Sequence, residues 1–166
     1  MLYICGAKEE RHSDMSLPPL NLPPAPLRLR QGAEREEVWC PLRHRFVALT
    51  PEEWVRQHFV HFLTEHRGYP VALMGNEMSI RVGNATRRCD TILYNKEGGT
   101  PRAVMEYKAP SVPITQDVFT QISSYNSVLR ADYLFVSNGL RTVACRLGSE
   151  PDAYTFLPDV PSYAEL

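Results

Sequence analysis

The chain has 166 residues, enough for one domain with a core of its own. Its 18 basic and 19 acidic side chains leave a net charge of −1. Binding of nucleic acid or membrane by bulk positive charge is therefore excluded, and a polyanion must be met by a local patch or a metal ion. No apolar run approaches the roughly 20 residues of a membrane span, and no GxxxxGK[ST] loop or motor-sized length is present.

The first seven residues, Met1 to Ala7, lack the basic region of a signal peptide. Ser16 to Pro26 reads SLPPLNLPPAP, with five prolines in eleven residues. That composition predicts an extended arm over residues 1–30, ahead of a domain over 31–157 and a tail over 158–166. Met15, just before the arm, is a candidate natural start, with residues 1–14 as upstream readthrough. Val38 to Leu49 predicts a short hairpin or edge strand. Thr50-Pro51-Glu52-Glu53 then combines an N-cap, a proline at the first helical position and a glutamate three residues after the cap. Val55, Phe59, Phe62 and Leu63 continue one helical face, and Gly68 ends the helix.

Strands follow at Val71–Met74, Met78–Val82, Arg88–Tyr94 and Ala103–Lys108, with turns predicted at Gly75-Asn76, Gly83-Asn84 and residues 95–99. A second helix is expected from Gln116 to Leu129, capped by Thr115 and striped by Val118, Ile122, Tyr125 and Leu129. Tyr133–Ser137 and Arg141–Leu147 read as a hairpin about Asn138-Gly139, and Tyr154-Thr155-Phe156 as one more strand. This order predicts a mixed sheet flanked by helices, an α/β or α+β sandwich. Cys5, Cys40, Cys89 and Cys145 form no CxxC pair and have no zinc-ligand spacing. They read as reduced, gap-filling thiols of a cytoplasmic protein.

Lys108 lies in an apolar strand, and strand alternation puts Glu106 on its face. The turn at 95–99 makes the Asp90 strand an antiparallel neighbour, so Asp90 can sit beside Glu106. Two converging carboxylates repel each other unless a cation is shared, which suits hard-oxygen binding of Mg²⁺ or Mn²⁺. A lysine on the same face can orient water and offset developing phosphorane charge. Glu106 and Lys108 alone would equally be a solvated ion pair; Asp90 on the neighbouring strand strengthens the chemical reading.

At about 100° per residue, Glu52 falls near the apolar helix face and Glu53 off it. Glu53 is then the capping partner, and Glu52 is either a third carboxylate or a first-turn acid complementing the helix dipole. Gln121 and Tyr125 share a helix face and would either contact substrate or form a polar edge. Arg81, Arg87, Arg88, Arg43 and Arg45 could meet phosphates. The histidines are given no catalytic role.

Arg88-Cys89-Asp90-Thr91-Ile92, Val104-Met105-Glu106-Tyr107-Lys108-Ala109-Pro110 and Gln121-Ile122-Ser123-Ser124-Tyr125 together resemble the D…ExK…QxxxY pattern of PD-(D/E)XK nucleases. They are most similar to the N-terminal nuclease domain of type I restriction enzyme R subunits, in the short stand-alone form of Bacteroides-type bacteria. Pro41-Leu42-Arg43 and Leu49 through Phe59 resemble the opening of that group. The resemblance covers about residues 20–157, with Cys89 where a proline usually precedes the aspartate. It implies a restriction-endonuclease-like fold and Mg²⁺- or Mn²⁺-dependent hydrolysis of DNA. Asp90 and Glu106 would hold the metal, Lys108 would position water, Gln121 and Tyr125 would fill the QxxxY role, and Glu52 would be the helix acid. DNA and a separate restriction-system subunit or motor are the implied partners. The alternatives are a non-catalytic nucleic-acid- or partner-binding module, or an interaction protein whose arm docks on a second copy in a homodimer.

Overall fold

The computed structural model describes residues 17–149 and 153–166, apart from the side chains at 80, 82, 121–125 and 127. The candidate start at Met15 and Cys5 lie outside the described residues.

Helix α1 (Pro51–His61) begins where the capping signal places it, with Thr50 Oγ1 accepting the Glu53 N–H at 3.1 Å. A π-helical turn over Phe62–His66 extends it, and Gly68 at φ 73° ends it. Ahead of α1, β1 (Leu29–Gln31), β2 (Glu36–Cys40) and β3 (Arg45–Ala48) form a three-stranded antiparallel sheet.

The main sheet has six strands in the order β4 (Met74–Val82), β5 (Ala85–Tyr94), β6 (Pro101–Tyr107), β7 (Tyr133–Ser137), β8 (Thr142–Leu147) and β9 (Tyr154–Leu157). Helix α2 (Gln116–Leu129) crosses between β6 and β7, the parallel pair among antiparallel neighbours. This is the mixed α/β sheet the sequence predicts.

Alternation along the strands divides the core. Leu93, Met105, Tyr107 and Phe135 pack with Val55, Phe59 and Leu63 under α1. Ile92, Val104, Leu134 and Val136 pack with Val118 and Phe119 of α2. Leu20 and Leu22 of the arm, and Tyr163 and Leu166 near the end, rest on the α1 cluster. The arm is tied down by Trp54 Nε1 donating to Pro18 O at 3.1 Å and Asn21 N donating to Gly139 O at 2.7 Å.

Three local readings are corrected. Val71–Leu73 is a 3₁₀ turn, because Leu73 N bonds back to Pro70 O at 3.0 Å. Gly75-Asn76 is not a turn but lies within β4, where Gly75 pairs with Ile92 and Asn76 with Thr91. A Cβ on Gly75 would stand 3.4 Å from the Met78 sulfur, so this glycine serves close side-chain approach. Thr115 occupies the N-cap position of α2 without a side-chain capping bond. Cys40, Cys89 and Cys145 are free and buried.

Candidate functional site

The register Thr91↔Met105, continued one step, sets Asp90 opposite Glu106. Asp90 Oδ2 accepts the Tyr107 N–H at 2.8 Å, which fixes the carboxylate against the end of β6. Glu106 is 6% exposed. Its Oε1 accepts from Lys108 Nζ at 3.0 Å, while Oε2 is buried without a partner. Lys108 lies just past β6 and is held by its own N–H to Ser137 O at 3.0 Å. The structure therefore brings Asp90, Glu106 and Lys108 together.

Their electrostatics are mutual. Burial, then the Asp90 charge, pushes the Glu106 carboxyl up to about 7, against the lowering pull of Lys108. Burial disfavours the Lys108 ammonium, but Glu106 and Asp90 outweigh it and leave its pKa raised. Lys108 is thus a cation at neutral pH, not a base. Glu52 is raised by burial and by Asp90, and lowered by Arg56 and Lys108, so it shares this field.

The assignment of the helix acids is corrected in one respect. The Glu53 side chain is 7% exposed and that of Glu52 46%. The helical wheel sees one apolar face, but the turn between β2 and β3 brings Arg43 against a second side of α1. There Glu53 Oε1 accepts from Arg43 Nη1 at 3.1 Å and Gln57 Nε2 at 2.7 Å, and Oε2 from Arg56 Nη1. Glu52 lies at the rim, with Oε1 3.4 Å from Arg56 Nη2.

Arg56 is the residue the sequence argument misses. Its buried guanidinium joins Glu53 and Glu52 to Asp90 Oδ1 at 2.9 Å and lies 5.4 Å from the Tyr107 ring centroid. The signal in the sequence is the spacing of Glu52 and Glu53 to Arg56 at four and three residues. Arg43 also changes role: its side chain is 9% exposed and pairs with Glu53 and Glu77. It is a buried structural cation, unlike exposed Arg45, Arg81, Arg87 and Arg88. Gln121 and Tyr125 lie on α2, but their side chains fall outside the description.

A mixed sheet between two helices, with Asp…Glu-x-Lys gathered at the end of a central strand, defines an α/β domain with a carboxylate–lysine cluster at that strand end. A family model described as type I restriction enzyme R protein N terminus (HSDR_N) matches residues 51–161, and the chain belongs to that family. In structure it is similar to a fragment described as an HsdR subunit of a type I restriction enzyme from Vibrio vulnificus YJ016. The identity is 18% and the TM-score 0.52, over 71% of this chain and 24% of that one. That likeness shows the fold, and the chain spans about a quarter of that fragment's length. No curated protein matches the chain in sequence.

Proposed function

We propose that this domain hydrolyses DNA phosphodiesters with the help of a divalent cation of the Mg²⁺ or Mn²⁺ type. The observation that carries the reading is the buried, unpartnered Glu106 Oε2 beside Asp90, with Lys108 bound to the other Glu106 oxygen. A buried carboxylate oxygen left without a partner is costly unless a ligand uses it. Two hard-oxygen donors fit such an ion, although among the described residues no group of three or more His, Cys, Asp or Glu side chains is gathered for one. Asp90 and Glu106 would hold the ion. When bound it would supply charge neutralisation and a more acidic water.

The chain's own residues then have distinct tasks. Tyr107 N and Arg56 hold the Asp90 carboxylate in place. Lys108, protonated, turns its ammonium toward the site and offsets the charge that develops on the phosphoryl oxygens. Glu52 adds a carboxylate at the rim. Gln121 and Tyr125 are proposed to contact substrate from α2. DNA is the proposed substrate, a separate restriction-system subunit or motor the proposed partner, and the cytoplasm the proposed location. Among the described residues no helix is long and apolar enough to cross a membrane.

One observation favours a second reading, a binding module without turnover: Asp90 Oδ1 already has a cationic partner in Arg56. Plasmid nicking in Mg²⁺ separates the two. Wild type cuts, and Lys108→Ala and Asp90→Ala lose at least about a hundredfold in rate with unchanged circular dichroism. Equal cutting by all three proteins rejects this site, and no cutting by wild type with supercoiled, relaxed or single-stranded DNA favours the binding module.

A further inference from the structure

We propose that one side of the β4–β5 ribbon is the surface that lays duplex DNA against Asp90, an inference that rests on the nuclease reading above. Strand β5 pairs with β6 from Thr91 onward, so residues 78–82 and 85–89 form a two-stranded ribbon reaching past β6. Over the ribbon Arg81 faces Thr86, Ser79 faces Arg88 and Met78 faces Cys89, and the ladder is interrupted next to it at Glu77, which has φ 54°. Paired residues of an antiparallel ladder share a side, and neighbours along a strand alternate.

Two contacts fix which side is which. Cys89 is buried in the α2 cluster, whereas Asp90 reaches Arg56 on α1. Alternation from Cys89 then puts Arg88 and Thr86 on the α1 side, and their partners Ser79 and Arg81 with them. Arg88 confirms this by approaching Glu77 at 3.7 Å, the same carboxylate that buried Arg43 holds at 3.2 Å.

The side of the ribbon that leads to Asp90 is therefore two guanidiniums and two hydroxyls, all exposed. Arg88 stands two residues from Asp90, and Arg81 two residues further along the ladder, steps of about 7 Å each. On a chain of net charge −1, this is a local cationic strip placed where a polyanion must enter. Guanidinium forks and hydroxyls are phosphate ligands that position DNA without reading its sequence. Single strands are held by aromatic platforms, and the four residues on this side include none. A two-stranded ribbon also matches the width of a duplex major groove.

The test is fluorescence anisotropy with a labelled duplex in EDTA over a salt series, for wild type, Arg81→Ala/Arg88→Ala and, as control, exposed Arg35→Ala. Plasmid cutting in Mg²⁺ is measured in parallel. Wild type binds the duplex, and the double variant binds at least about tenfold more weakly at low salt. Its slope of log affinity against log salt falls by about 1.8, near 0.9 per lost phosphate contact. The control matches wild type, and all three melt alike.

Unchanged affinity and slope in the double variant overturns the proposal. So does wild type that ignores duplex or prefers a single strand of the same length. Cutting that persists undiminished in the double variant keeps the catalytic site and discards the ribbon. Ribbon-dependent binding by a protein that never cuts keeps the ribbon and discards catalysis.

Discussion

At the residue scale, Asp90 and Glu106 differ in what surrounds them. Asp90 has a backbone N–H and a guanidinium, while half of Glu106's carboxylate has nothing. In metal-free protein Glu106 therefore binds its proton more tightly folded, at about 7, than unfolded, at the ordinary carboxylate value of 4.5. Its contribution to stability is fully present below about pH 4.5 and is lost as pH rises through about 7. The melting temperature of Glu106→Gln relative to wild type should accordingly rise over that window in EDTA. A difference that stays flat or falls would contradict the burial assigned to Glu106.

Arg56 makes the opposite kind of prediction. Removing a buried cation that compensates Glu53 and Asp90 should cost about 3 kcal/mol or more in Arg56→Ala, read by urea unfolding. A loss below about 1 kcal/mol would make the network dispensable. Asp90, Glu106 and Lys108 are legible in the sequence because residue type and strand period suffice to pair them. Arg56 is not, because its role depends on a carboxylate 34 positions away and on the Arg43 that shares Glu53 with it from the turn between β2 and β3.

At the element scale, α1 brings Arg56 and Glu52 to the site on a frame set by local rules. Thr50→Ala should destabilise by about 1 kcal/mol and Thr50→Ser by much less, measured by chemical denaturation. Equal losses would mean that Oγ1 at Glu53 N is not what starts the helix. His58 is buried against Trp54, its Nδ1 2.9 Å from Trp54 O, and burial lowers its pKa below 6.5. The unfolded chain then binds the proton more readily. This contribution is present above about pH 6.5 and is lost as pH falls below it. His58→Gln should shrink that acid-side loss in melting experiments; an unchanged slope would remove His58 from the account.

The start of α1 and the hairpin at Asn138-Gly139 are written in capping and turn chemistry, which is local. The Gly75-Asn76 pair misleads because the same residues serve a turn or a close approach. Only the partner strand decides between them.

At the scale of the whole molecule, the sheet order places β6 and β7 in parallel at the centre and brings the carboxylates to the end of β6, where α1 begins. Strand order is the least legible feature, since no residue names its neighbour across a sheet. The arm is legible as extended but not as attached. It crosses from Trp54 to the β7–β8 turn, where Gly139 adopts φ 79° and a Cβ would stand 2.6 Å from Leu20. Gly139→Ala should cost about 1–2 kcal/mol through its backbone alone, and a neutral result would contradict the left-handed conformation of the turn.

The central claim is that Asp90 and Glu106 jointly hold a catalytic divalent ion, and isothermal calorimetry with Mn²⁺ tests it most directly. Wild type should bind one ion, and Asp90→Ala and Glu106→Ala should each abolish the heat while keeping the fold. Binding that survives in both variants, or wild type that takes up no ion even with duplex DNA present, would contradict it.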